Sequence, residues 1–196
     1  MVLSRFLAAL LASFLLASGP VRADEVQKID QQYRTGDLTG ALERVELYLV
    51  KNPKNAKARF LKGLILTDQN RVDDAIEVMS ALTEDYPELP EPYNNLAVLH
   101  ASQGRYQTAM HALEAAIRAH PNYATAHENL GDLHAKMASI AYEKAVTLDS
   151  KNTTAQAKLT LIRSLPGQQA AQPAAAKPAT AAPLSVPESG QPAPAK

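Results

Sequence analysis

Apolar residues recur at three- and four-residue steps between residues 90 and 123, which places them on one face of an α-helix. The first face consists of Tyr93, Leu96, Ala97 and His100. The second face consists of Tyr106, Ala109, Leu113, Ala116 and Ile117. Gly104 separates the two faces, because a helix C-cap needs a left-handed residue that glycine tolerates. Pro121 ends the second helix, because it has no amide proton. The segment therefore predicts two helices joined by a tight turn.

The same pattern recurs every 34 residues. Three columns keep this step, namely Gly36, Asn70 and Gly104, then Ala41, Ala75 and Ala109, then Pro53, Pro87 and Pro121. A helical pair repeated at constant spacing predicts an all-α solenoid, since each pair buries its apolar face against the next. The alanine column marks where two helices cross closely, and a larger side chain there would force them apart.

The third unit resembles the tetratricopeptide repeat. Its aromatic start, small central residues and closing proline match the family consensus at Tyr93, Leu96, Ala97, Ala109, Ala116 and Pro121. The second unit matches through Gly63, Ala75 and Pro87, with Lys62 where the family has leucine. The resemblance implies a right-handed solenoid whose concave surface holds another polypeptide. It divides the chain into units at about 24–55, 56–89 and 90–123.

The fourth unit, at 124–150, is shortened. Gly131 to Ala145 is 14 residues, whereas the corresponding step in the third unit is 19, so five residues that include the turn are missing. The next 34-residue step lands on Ala138, which needs no turn. One apolar stripe continues instead, through Leu130, Leu133, Met137, Ile140, Ala145 and Leu148. We therefore predict one unbroken helix over 124–149, with a tight turn near Ala138 as the alternative.

A terminal helix over 152–165 is expected to cap this domain, which spans 24–165. Its apolar side is predicted to contain Ala157, Leu159, Leu161, Ile162 and Leu165. The Pro/Ala-rich segment that follows, 166–196, has no aromatic residue and too few large aliphatic ones to offset its conformational entropy. It is predicted to be disordered and to act as a spacer. The alternative is a tether or a proline-rich ligand.

Residues 1–23 have the pattern of a secretory signal. Arg5 supplies the positive start, an apolar run extends from Phe6 to Gly19, and a small-residue site ends at Ala23. The run is too short to cross a hydrocarbon core of about 30 Å comfortably. Such a signal would direct export of the protein and be cleaved after Ala23, and we expect a periplasmic location. An uncleaved amino-terminal anchor is the alternative.

Charge and cysteine content narrow the classes of function. The 20 basic and 20 acidic residues balance, and cleavage would remove Arg5 and Arg22 and no acid, which changes the net charge from 0 to −2. This balance argues against electrostatic binding to nucleic acid or to an anionic bilayer. The chain has no cysteine, so disulfides and lipid attachment at a cysteine are excluded.

The exposed positions of the first helix in each unit are the predicted peptide-binding residues, because the resemblance places these helices on the concave surface. They are Phe60, Leu64, Asn94, Asn95, Val98, Glu128, Asn129 and Asp132. Asn95 and Asn129 share a column, and a side-chain amide can both donate to and accept from a peptide backbone. The alternative is that these asparagines are merely typical of the family and solvated.

The predicted groove has apolar and acidic parts. Phe60 and Leu64 suggest an apolar end, while Asp68, Glu128 and Asp132 add negative charge. The lysine columns by which some tetratricopeptide proteins grip a terminal carboxylate are not reproduced. A neutral or mildly basic extended segment therefore fits this groove better than an acidic tail.

No cofactor, metal or catalytic function is predicted. His100, His127 and His134 occupy columns that the family uses for aromatic packing, and no cysteine or carboxylate cluster completes a ligand set. Phosphate-binding glycine loops and nucleophile or metalloprotease motifs are absent from the sequence. We interpret the chain as a non-catalytic scaffold or adaptor for proteins of the cell envelope. A homodimerising structural module and an enzyme with an unrecognised site are the alternatives.

Overall fold

The computed structural model describes the backbone of residues 21–165 and the side chains of residues 25–165. Eight α-helices occur in this part of the chain. They are α1 (Val21–Arg34), α2 (Leu38–Lys51), α3 (Ala56–Asp68), α4 (Val72–Asp85), α5 (Pro90–Ser102), α6 (Tyr106–Ala119), α7 (Ala124–Leu148) and α8 (Thr153–Arg163). Each helix packs mainly on the next, and α1 also contacts α3 as α5 contacts α7. This is the paired all-α arrangement that the 34-residue period predicts.

The turns inside the first three pairs have the backbone that the repeat predicts. Gly36, Asn70 and Gly104 have φ of 90°, 59° and 74°. Glycine adopts this left-handed region without steric cost, and asparagine is among the few other residues that visit it readily. The prediction of three equivalent turns is confirmed.

Asparagine and aspartate side chains cap several of the helices. The carboxylate of Asp37 accepts the Gly40 amide at 3.0 Å at the start of α2. Asn55 accepts from the Ala58 amide at 2.9 Å and so caps α3, and Asn152 caps α8 in the same way. Each cap satisfies an amide that has no partner inside its helix.

Small residues mark the close contacts between paired helices. Ala41, Ala75 and Ala109 are all completely buried. In α3, a Cβ added to Gly63 would lie 2.5 Å from the terminal methyl of Met79, which is also fully buried. The close crossing expected for the alanine column is therefore present.

The prediction of a single long helix in the fourth unit is confirmed. α7 runs for 25 residues from Ala124 to Leu148 without a break. At 1.5 Å per residue this is about 37 Å. Its second half extends beyond the length of the neighbouring 14-residue α6, and α8 folds back against it.

Among the residues that the structure describes, two hydrophobic clusters form the core. The first spans α1 to α5 and includes Ile29, Ile65 and Leu82. The second spans α5 to α7 and includes Leu113 and Leu133. Helix α5 contributes to both clusters and so joins them.

Helix α8 buries fewer residues than predicted. Ala155 and Leu159 are buried and Ile162 is half-buried, but Ala157, Leu161 and Leu165 are exposed. The predicted apolar side is therefore wrong for these three residues, because only one narrow stripe of this short helix contacts α7. The predicted tail at 166–196 and most of the predicted signal segment lie outside the described residues.

Candidate functional site

The eight predicted peptide-binding residues lie on α3, α5 and α7. Phe60 and Leu64 are on α3, Asn94, Asn95 and Val98 on α5, and Glu128, Asn129 and Asp132 on α7. The structure brings α5 and α7 into contact, so the residues of these two helices form one surface. Phe60 and Leu64, on α3, lie instead in the first hydrophobic cluster.

Phe60 and Leu64 are core residues. They are 4% and 7% exposed and pack in the same hydrophobic cluster as Leu61 and Ile65. The expectation that their side chains are exposed is wrong. Large apolar side chains gain free energy when they leave water, and α3 is buried around most of its circumference. Helical register predicts which face of α3 these residues occupy, but it does not predict that other side chains of the first cluster bury that face.

Asn94 and Asn95 are also buried rather than exposed, at 4% and 8%. Asn129 donates from Nδ2 to Oδ1 of Asn94 at 2.7 Å, which links α7 to α5. Asn95 instead donates from Nδ2 to the carbonyl of Glu91 in its own helix at 2.8 Å. The amide pair across the two helices is therefore Asn94 with Asn129, and not Asn95 with Asn129 as the column alignment suggested.

The surroundings of this amide pair are acidic. Glu128 and Asp132 are exposed on α7, and Val98 is half-buried on α5. Glu91, at the start of α5, is buried. Burial and, to a lesser extent, the negative charge of Glu91 raise the pKa of Tyr123, which lies just before α7.

A second polar site lies at the other end of the solenoid, between α1 and α3. The Tyr33 hydroxyl donates to Oδ2 of Asp68 at 2.8 Å. Burial, followed by this bond to Asp68, raises the pKa of Tyr33 above its ordinary value. An open depression beside this bond is lined by Tyr33, Arg34, Gly36, Leu38 and Asp68. Asp68 is one of the acidic groove residues predicted from the sequence, whereas Tyr33 was not predicted, although it precedes Asp68 by 35 residues, one more than the repeat step.

The histidines differ from one another. His100 is half-buried, its Nδ1 has no hydrogen-bond partner, and burial followed by the charge of Arg105 lowers its pKa. His127 and His134 are exposed, and His127 Nε2 lies 2.9 Å from the Pro121 carbonyl. The expectation of aromatic-type packing therefore fits His100 and is wrong for the other two, because both are exposed on that side of α7 among the described residues.

Neither a metal centre nor a membrane span is found in the described part of the chain. Among residues 25–165, no group of three or more histidine, aspartate or glutamate side chains is placed to hold a metal ion. None of the described helices combines the length and the apolar character needed to cross a bilayer.

Comparison with known families and structures supports the repeat assignment. A model described as "Tetratricopeptide repeat" matches residues 27–90, and one described as "TPR repeat" matches residues 99–137. Together the two matches cover more than half of the chain, and neither model describes an enzyme. No curated protein sequence matches significantly.

Several solved structures share the fold. A structure of MamA is 25% identical and has a TM-score of 0.53, with 69% of this chain and 82% of that chain covered. TTC0263, a TPR protein of Thermus thermophilus, is 20% identical over 75% and 84% of the chains, with a TM-score of 0.55. YrrB, whose structure is described as a TPR protein with an unusual peptide-binding site, is 21% identical over 55% and 56%, with a TM-score of 0.52.

Proposed function

The chain belongs to the tetratricopeptide repeat family, and from this premise we propose that it is a non-catalytic scaffold that binds an extended segment of a partner protein. The binding surface is the α5–α7 surface, formed by Asn94, Val98, Glu128, Asn129 and Asp132. The observation that carries this proposal is the 2.7 Å hydrogen bond from Asn129 to Asn94.

This hydrogen bond orients both amides. It uses one N–H of Asn129 and the carbonyl oxygen of Asn94, which leaves each side chain with further hydrogen-bonding capacity. Asn129 is the more exposed of the two, so its Oδ1 and second N–H can meet the donor and acceptor of one peptide unit while the buried Asn94 orients it. Because Asn94 fixes its orientation, this Asn129 amide can recognise the backbone of an extended segment rather than a particular side chain.

The charge around the pair selects the partner segment. Glu128 and Asp132 are exposed beside Asn129. A neutral or basic segment is favoured beside these carboxylates, whereas an acidic segment is repelled. Binding should therefore weaken as salt rises.

Crosslinking in living cells tests the proposal. A photo-crosslinking residue at Val98 should attach to a partner that mass spectrometry identifies, whereas the same residue at exposed Glu114 on α6 should not. The identified segment is then synthesised, and its affinity for the protein is measured. Attachment from Glu114 but not from Val98 would contradict the proposal.

Matched alanine variants separate the amide pair from its neighbour. The double change Asn94→Ala and Asn129→Ala should weaken binding of that segment about tenfold or more, since each lost hydrogen bond is worth about 1 kcal/mol. Asn95→Ala should have little effect, because Asn95 bonds its own helix. Equal losses in the two variants would indicate a structural effect instead.

We also propose that the protein acts in the cell envelope. The support is the arrangement of Arg5, the apolar run up to Gly19 and the small-residue site at Ala23. Amino-terminal sequencing of the protein from fractionated cells should find Asp24 at the start of the exported form. Recovery of an intact amino terminus in the cytoplasm would overturn this location.

A further inference from the structure

The open depression between α1 and α3 brings aromatic, acidic and apolar groups together. We call it the α1–α3 depression, and its lining consists of Tyr33, Arg34, Gly36, Leu38 and Asp68. Its volume is about 620 Å³. Ligand sites usually have volumes of about 300–1,000 Å³. A Cβ added to Gly36 would meet nothing within 4 Å, so the space beside this turn is open in the described part of the chain. The depression therefore has room for a long side chain of a partner.

The carboxylate of Asp68 is oriented within this depression. The Tyr33 hydroxyl donates to its Oδ2 at 2.8 Å, which fixes the direction of the carboxylate. Burial and the bond to Asp68 raise the pKa of Tyr33, so the phenol keeps its proton and remains a donor at neutral pH. A carboxylate has about four acceptor positions, and this bond uses one of them. Because Asp68 is exposed, it can accept further hydrogen bonds from a ligand.

Two helix C-termini add negative potential to the same place. Helix α1 ends at Arg34 and helix α3 ends at Asp68, and both of these residues line the depression. The C-terminus of a helix favours a nearby cation, because its last carbonyl groups carry partial negative charge. Arg34 is the basic residue of the lining, and it forms an ion pair with Asp30 at 2.7 Å. Since Asp68 adds a second carboxylate, the three charged side chains leave an excess of negative charge.

We propose that the α1–α3 depression binds an arginine side chain of a partner protein. A guanidinium group is planar, donates to a carboxylate from two N–H groups and stacks on aromatic rings. Asp68 supplies the carboxylate and Tyr33 the ring, while half-buried Leu38 offers an apolar contact for the methylene stem. The depression lies at the other end of the solenoid from the α5–α7 surface and shares no residue with it, so this inference goes beyond the proposed function.

Titration of the full-length, isotope-labelled protein with short peptides tests this site by NMR. Acetyl-Gly-Arg-Gly-amide should shift the amide signals of Gly36 and Leu38 in a saturable manner. The peptide with citrulline in place of arginine has nearly the same shape without the charge. It should bind about fivefold more weakly, as expected for the loss of one exposed ion pair. Equal binding of the two peptides, or no saturable shift with the arginine peptide, would overturn the proposal.

Matched variants should change the affinity for the arginine peptide in different directions. Asp68→Asn keeps an acceptor for the Tyr33 hydroxyl but removes the charge, and it should weaken binding about fivefold. Arg34→Gln removes a like charge from the depression and should strengthen binding about twofold, since solvent screens this charge. Glu84→Gln removes an exposed carboxylate from α4 and should have no effect. Weaker binding in the Arg34→Gln variant, or an equal loss in the Glu84→Gln variant, would contradict the site.

Two further comparisons identify the source of the arginine and the surface that binds it. Free arginine lacks the peptide groups and adds a carboxylate beside Asp68, so it should bind more weakly than the peptide. Tighter binding of free arginine would overturn the assignment to a partner protein. The Asn94→Ala and Asn129→Ala variant should bind the arginine peptide as the wild type does, whether or not the proposed binding at the α5–α7 surface holds. A loss in that variant would place the arginine on the α5–α7 surface and would overturn this inference.

Discussion

At the residue scale, backbone conformation decides what a glycine contributes. Gly104 has a φ of 74° at the turn between α5 and α6. Gly131 lies inside α7, and a Cβ added there would meet nothing within 4 Å. The same substitution should therefore have opposite effects at these two positions.

We expect Gly104→Ala to destabilise the protein by about 1 kcal/mol, because alanine does not tolerate a positive φ. Gly131→Ala should stabilise it by about 1 kcal/mol, because alanine has the higher helix propensity. Chemical denaturation of the two variants measures both effects. Changes of the same sign would contradict the assignment of a turn at one site and a helix at the other.

His100 makes the folded state sensitive to acid. Burial and the charge of Arg105 lower its pKa from about 6.5, so the unfolded chain binds a proton more readily than the folded one. The contribution of His100 to stability is present above the unfolded pKa and is lost as the pH falls below it. We expect the melting temperature to decrease from about pH 7.5 to about pH 5, and His100→Gln to reduce this decrease. The exposed His111→Gln variant should retain the wild-type profile.

The sequence predicts turns and close contacts well at this scale. Gly36, Asn70 and Gly104 need a particular backbone, and that need is visible in the residue type itself. Exposure is harder to predict, as Phe60 and Asn94 demonstrate. Helical register tells which face a residue occupies, whereas burial depends on neighbours that are distant in sequence.

At the element scale, α7 differs most from a regular repeat. The missing turn was predictable. A regular repeat would need a left-handed residue at position 138, but alanine stands there and the apolar stripe continues past it. The outward side of α8 was not predictable. This helix has aliphatic residues on two stripes, and only the contact with α7 determines that Leu159 is buried and Leu161 is exposed.

Proline at the missing turn should be poorly tolerated. Ala138→Pro removes a helical hydrogen bond from the middle of α7 and should cost about 3 kcal/mol or more. Ala138→Gly should cost only about 1 kcal/mol, because it keeps the hydrogen bond. Thermal unfolding measures both. A mild effect of the proline would favour two helices joined near Ala138.

At the scale of the whole molecule, stability is divided between the two hydrophobic clusters. A solenoid has contacts mainly between neighbouring elements, so a change in one cluster need not unfold the other at once. Leu82 belongs to the first cluster and Leu113 to the second, and α5 is the element they share.

We expect Leu82→Ala to destabilise the protein by about 2–5 kcal/mol through the cavity that it leaves. Hydrogen exchange in this variant should increase most in α3 and α4, and least in α7. Leu113→Ala is the matched change in the second cluster and should give the reverse order. A uniform increase along the chain in both variants would indicate a single cooperative unit instead.

The uninterrupted α7 has a mechanical consequence. Asn129 and Leu148 stand on the same helix, about 28 Å apart along its axis. A regular repeat would have placed a turn between them, and a turn absorbs small rotations. We expect a tilt of the first turns of α7 to displace its carboxyl-terminal end, against which α8 packs. Binding of a segment at Asn129 is therefore expected to shift α8 as well.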